Sequence, residues 1–83
     1  LNSASLAARF AAKEATLKAL GGNIAGFSWR DIHVTREPGD PPTLVLSGGV
    51  KARARSRSVV SHHLSLSHDG GMAIAFVVME GAS

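Results

Sequence analysis

The sequence contains no cysteine, so neither disulfides nor thiolate metal sites are available to it, and a reducing compartment suits it. Aromatic rings are scarce. There are three phenylalanines, one tryptophan and no tyrosine, and Trp29 stands alone, so no stacked platform for single-stranded nucleic acid is visible. No apolar run approaches the roughly 20 residues that cross a bilayer, and no membrane association is expected. A chain of 83 residues allows one domain, 1–83, and buries little enough of its surface that an oligomer is expected to help hold it. The chain begins at Leu1, already inside a helical pattern, so the domain is expected to be incomplete at its N-terminus.

What is present describes a packed domain, since 45% of residues are hydrophobic and 18% charged. The net charge of +3 is local. Without Lys51, Arg53, Arg55 and Arg57 the remaining five basic residues face six acidic ones, and the balance turns negative.

Asn2, Ser3 and Ser5 are competent N-caps, the stretch to Leu20 is alanine-rich, and Gly21-Gly22 supplies a helix stop. At 100° per residue Leu6, Phe10 and Leu17 lie within about 40° of one another, with Ala8, Ala12, Ala15 and Ala19 opposite. Both faces of this helix are expected to be packed. Ser28 to Asp31 reads as a capped turn, followed by a strand from Asp31 to Arg36 on which Ile32 and Val34 share a face. Residues 37–42 hold three prolines, a glycine and an aspartate, which predicts a hairpin connection into a strand from Thr43 to Ser47. Val50 to Ser58 is expected to be a short exposed helix, although its alternating arginines would also suit an edge strand. His62 to Ser67 alternates, Asp69-Gly70-Gly71 signals a turn, and Met72 to Met79 is a continuous apolar run expected to be covered on both faces.

Glu14 lies about 40° from Phe10 on the helical wheel, Lys18 follows one turn later, and Lys13 falls within the apolar stripe. An i, i+4 Glu-Lys pair on a solvated helix would account for two of them, worth only about 0.2–0.5 kcal/mol. The absence of a polar face argues otherwise. Charges set where packing would favour leucine suit a polyanion and its metal, because a carboxylate can hold Mg²⁺ while lysines neutralise phosphate oxygens.

The run Ala8-Arg9-Phe10-Ala11-Ala12-Lys13-Glu14-Ala15, followed by Lys18-Ala19-Leu20-Gly21, closely resembles the signature helix of holo-acyl-carrier-protein synthases. Further matches follow in the same order: Trp29-Arg30-Asp31-Ile32, Pro42-Thr43-Leu44-Val45-Leu46, and Ser65-Leu66-Ser67-His68-Asp69. The family's opening third, with a glycine-isoleucine-aspartate strand expected to carry the second metal carboxylate, has no counterpart here. The resemblance implies an α+β, 4′-phosphopantetheinyl transferase-like fold, with an antiparallel sheet packed on a long N-terminal helix. It further implies a homotrimer, or an assembly with a chain supplying the N-terminal segment, with active sites between subunits.

The implied activity is Mg²⁺-dependent transfer of phosphopantetheine from coenzyme A to a serine of an apo acyl carrier protein, in fatty acid biosynthesis and in the cytoplasm. Adenosine 3′,5′-bisphosphate is released. By resemblance Glu14 is a magnesium ligand and a candidate base acting through water. Lys18 is expected on the diphosphate, Arg9 on a nucleotide phosphate, Lys13 as a further cation, and His68 among the coenzyme contacts. Pro41 occupies a position that is basic in the family, which removes any contact from that side chain.

On the residues alone His68 would be a surface hairpin histidine. His62 shares its strand face by period two while His33 is elsewhere, so a histidine metal site lacks a third ligand. The basic run from Lys51 to Arg57 reads first as a solvated face and second as a docking surface for an acidic carrier protein. Two rivals remain: a small basic nucleic-acid-binding module, and a non-catalytic fragment or partner half of such an enzyme.

Overall fold

The computed structural model describes residues 3–81, with side-chain surroundings from residue 6 onward. Asn2, one of the expected caps, lies outside the described residues.

Helix α1 (Ser3–Ala19) forms from the alanine-rich run and stops where the glycines were expected to stop it. Gly21 has φ +87°, its N–H donates to the Lys18 carbonyl at 3.1 Å, and the Gly22 N–H reaches back to the Leu17 carbonyl at 2.9 Å. That pair of bonds is a Schellman motif, which closes a helix through a left-handed residue best supplied by glycine. A 3₁₀ turn (Trp29–Asp31) follows, capped by the Ser28 hydroxyl, which accepts the Arg30 N–H at 3.2 Å.

Strands β1 (Ile32–Thr35) and β2 (Thr43–Leu46) pair antiparallel across the 37–42 connection, with Ile32 opposite Leu46 and Thr35 opposite Thr43. Helix α2 (Gly48–Ser56) leads into β3 (Val59–Asp69), which pairs antiparallel with β4 (Met72–Gly81). Gly70 and Gly71 both have positive φ, as a two-residue turn matched to strand twist requires. The antiparallel strands on a long helix are as expected, arranged as two hairpins instead of one continuous sheet.

The core lies between α1 and the hairpins. α1 runs along β4 and also touches β1 and β3. Its buried positions are Ala8, Ala12 and Thr16, one narrow stripe continued by Leu20 just past the helix end, and the cluster is completed by Ile32, Leu44, Val50 and Ala54. Small side chains let the helix approach the sheet closely. Thr16 is a polar member of that stripe, and its hydroxyl donates to the Ala12 carbonyl at 2.8 Å, so its burial leaves nothing unpaired.

Four expectations change. The large-residue face of α1 is only partly packed: Leu6 and Phe10 are 54% and 55% exposed, because the four-residue β1 covers little of it. Trp29 is not isolated, since its ring centre lies 5.6 Å from that of Phe10 and 5.0 Å from that of Phe27. α2 is not simply exposed, since Val50 and Ala54 turn into the core. β4 is covered on one face only. Ala73, Ala75, Val77 and Met79 face inward and are half-buried, whereas Met72, Ile74, Phe76 and Val78 face outward, because one helix can shield only one side of a hairpin.

Candidate active site

α1 carries four of the five side chains singled out by sequence. Its regular twist sends them in two directions. Arg9 and Lys13 turn toward β1, where with Leu6, Phe10, Ile32, His33 and Val34 they line a cleft of about 330 Å³. Lys13 is half-buried there, matching its expected place within the apolar stripe. Glu14 and Lys18, the next residues around the helix, are both exposed.

Glu14 and Lys18 do not close on each other as an ordinary surface pair. Among the described residues the side-chain contact between a carboxylate and a basic group is the His63–Glu80 hydrogen bond, at 2.9 Å on the exposed face of the β3–β4 hairpin, and it does not involve α1. An acid and a base one turn apart, both open to solvent, can address a ligand carrying both a cation and an anion.

Glu14 is the one carboxylate of α1. Among the described residues no three of His, Cys, Asp and Glu gather as metal ligands. A lone carboxylate still fits magnesium, which keeps several waters and commonly takes one or two protein carboxylates together with substrate phosphates. Glu14 therefore suits one position of such a shell and not a complete protein cage.

His68 stands near the end of β3, opposite Ala73, and is exposed. It is on the inward-facing side of the hairpin and is not among the residues that line the cleft of Arg9 and Lys13. The sequence reading set His33 apart. The fold puts it beside Arg9 and Lys13, a neighbourhood that depends on β1 lying along α1 and leaves no trace in local spacing. Pro41 and Pro42 meet His62 and His63 around a second cleft of about 240 Å³, so the proline turn shares a site with β3.

The basic run of α2 is not a uniform solvated face. Arg53 donates to the carbonyls of Leu20, Gly22 and Asn23 at 3.1, 3.0 and 2.8 Å. Lys51 and Arg55 border a groove of about 380 Å³ with Leu44, Leu46, Val60 and His62.

With this arrangement in place, residues 2–77 match the model of one protein family, described as the 4′-phosphopantetheinyl transferase superfamily. The chain belongs to that superfamily. Within the 4′-phosphopantetheinyl transferases it is similar to the holo-[acyl-carrier-protein] synthase of Clavibacter sepedonicus, 54% identical over 77 residues that make up 93% of this chain and 64% of that protein. The synthase of Salinispora arenicola is 57% identical over 76 residues, 92% of this chain and 62% of the relative. The chain thus spans less than two thirds of the length of these relatives.

Among solved structures it resembles the Helicobacter pylori holo-[acyl-carrier-protein] synthase in complex with coenzyme A. The TM-score is 0.78 at 39% identity, over 95% of this chain and 67% of that one. The Plasmodium yoelii holo-ACP-synthase aligns with a TM-score of 0.76 at 31% identity, over 89% of this chain and 55% of that one. The α+β transferase fold is therefore shared.

Proposed function

We propose that the protein to which these residues belong transfers the 4′-phosphopantetheine group of coenzyme A to a serine hydroxyl of an apo acyl carrier protein. The observation that carries the proposal is the exposed Glu14 and Lys18, one turn apart on the helix that matches the superfamily and not paired with each other. The names of the relatives and the coenzyme A bound to the Helicobacter protein support it.

In the reaction the serine oxygen attacks a phosphorus of the coenzyme diphosphate and loses its proton. The phosphorus–oxygen bond to adenosine 3′,5′-bisphosphate breaks. Little covalent chemistry is asked of the protein, so positioning and charge neutralisation account for the rate. Glu14 would hold Mg²⁺, which when bound draws charge from the diphosphate oxygens. Lys18 would contact the diphosphate and steady the leaving adenosine 3′,5′-bisphosphate. Arg9, and secondarily Lys13, would meet a nucleotide phosphate from the cleft against β1, and His68 would add a contact at the hairpin end. Glu14 can also take the serine proton through a bound water, a role ranked below metal binding.

His68 is not among the residues that line the Arg9 and Lys13 cleft, which suits a site completed by a second copy. The outward row Met72, Ile74, Phe76 and Val78 offers an apolar surface for such a homotrimer. Cytoplasmic fatty acid synthesis is the setting this reading assigns. No helix among the described residues is long and apolar enough to cross a membrane. A second reading, in which these residues bind coenzyme A but do not transfer alone, is favoured by Glu14 being the one carboxylate of α1.

The test is incubation of the full-length protein with apo carrier protein, coenzyme A and Mg²⁺, followed by mass spectrometry of the carrier. Addition of one phosphopantetheine is expected. An unmodified carrier overturns the proposal.

A further inference from the structure

The three cations of α2 and Arg57 at its C-cap divide into two pairs, each one turn apart. Lys51 and Arg55 border the groove toward β2 and β3, whereas Arg53 and Arg57 turn to the end of α1. Arg53 Nη1 donates to the Leu20 and Gly22 carbonyls, and Nη2 donates to that of Asn23. The Arg57 guanidinium lies against Gly21, where an added Cβ would sit 3.0 Å from Nη2. Two arginines from one helix and its C-cap thus hold the loop that terminates another.

That loop has particular need of a clamp. Gly21, Gly22 and Asn23 have φ of +87°, +67° and +45°, three successive left-handed residues of which one is not glycine. Carbonyls at a helix C-terminus lack intrahelical partners and carry the negative end of the helix dipole, so a cation is favoured there. A rigid guanidinium fork can serve three carbonyls at once, which the compact ammonium of lysine does less well. The Gly21 N–H is bonded to the Lys18 carbonyl, so the clamped loop is tied to the residue proposed to steady the diphosphate.

We infer that Arg53 is a positioning residue for Lys18: by holding the Leu20, Gly22 and Asn23 carbonyls it fixes the last turn of α1 and the base from which Lys18 reaches its anion. The inference rests on the transferase reading, and it places the function of Arg53 in the site instead of on a docking surface. Arg53 acts through Lys18 and does not itself touch substrate.

The test is a double-mutant cycle in the full-length protein, with rates referred to the folded fraction. Arg53→Ala is expected to lower kcat about tenfold and raise KM for coenzyme A, with KM for the carrier protein unchanged. Adding Arg53→Ala to Lys18→Ala should cost nothing further, because the residue it positions is gone. A purely structural Arg53 would give additive losses, and that result, or wild-type kinetics in a folded Arg53→Ala protein, overturns the inference. If Arg53→Ala does not fold, Arg53→Lys replaces it in the same cycle, with a smaller loss and the same non-additivity expected. If the wild type transfers nothing, the proposed reaction fails by itself. The clamp is then judged by NMR, where Arg53→Ala but not Arg55→Ala should shift the Lys18 side-chain signals and speed amide exchange at Gly22. Absence of both changes rejects it.

Discussion

Glu14 and Lys18 stand in the spacing that on most helices closes as a surface ion pair, and here they remain apart. Little stability is at stake in either side chain, so a substitution can remove function without harming the fold. Glu14→Gln keeps shape and loses the charge a metal requires. In the full-length protein it is expected to lower transfer at ordinary Mg²⁺ by at least about 100-fold, with thermal stability changed by no more than about 0.5 kcal/mol. Rates and melting curves measured on the same preparation check this. Arg55→Ala is the contrasting case, with transfer expected to stay close to wild type because Arg55 borders a groove away from the α1 cleft. Comparable losses for Glu14→Gln and Arg55→Ala would remove the reason for assigning the metal to Glu14.

At the scale of elements, α1 presses a strip of small residues on the sheet, carries Glu14 and Lys18 in solvent, and turns Arg9 and Lys13 to the cleft against β1. Ala12 is fully buried in that strip, where close packing leaves little tolerance for a larger side chain. Ala12→Leu is expected to destabilise the domain by about 1–3 kcal/mol through overpacking, read as a lower urea midpoint with an unchanged slope. An unchanged midpoint would mean that the helix does not pack as closely as its alanines suggest.

The helix, its glycine stop, the Ser28 cap and both hairpin turns were legible from sequence, because each depends on residues within a few positions of one another. The basic run was not. Alternating arginines between Lys51 and Arg57 look alike in sequence, and only the fold, by setting Arg53 against carbonyls some 30 residues earlier, distinguishes a clamp from a solvated side chain. Thr16 joins Ala8 and Ala12 in the buried stripe, ahead of half-buried Ala15 and exposed Ala19, because it satisfies its own hydroxyl inside the helix. His33 meets Arg9 and Lys13 only in the fold, because they come from another element. Four of the residues taken from the family resemblance lie on α1, and their split into a cleft-facing pair and a solvent-facing pair follows from helical twist and the placement of β1 together.

At the scale of the whole molecule, β4 poses the largest energetic problem. Its sequence is apolar on both faces, yet a single chain covers one, leaving Met72 and Phe76 68% and 65% exposed in a row with Ile74 and Val78. Such a row is costly to leave in water and is the kind of surface that oligomers bury. Opposite it on β3 stand Ser65 and Ser67, small enough to let another chain approach, and the His63–Glu80 pair lies near one end. In a monomer, replacing an exposed Phe76 by aspartate would alter stability little and improve solubility. If the face is shared between copies, the same change buries a charge without a partner, which the assembly cannot accommodate. Phe76→Asp is therefore expected to convert the oligomer to a folded monomer in sedimentation velocity, with the far-ultraviolet spectrum retained. Transfer should fall with the oligomer if, as proposed, a second copy completes the site. An unchanged sedimentation coefficient would show that the outward face of β4 is not where the copies meet.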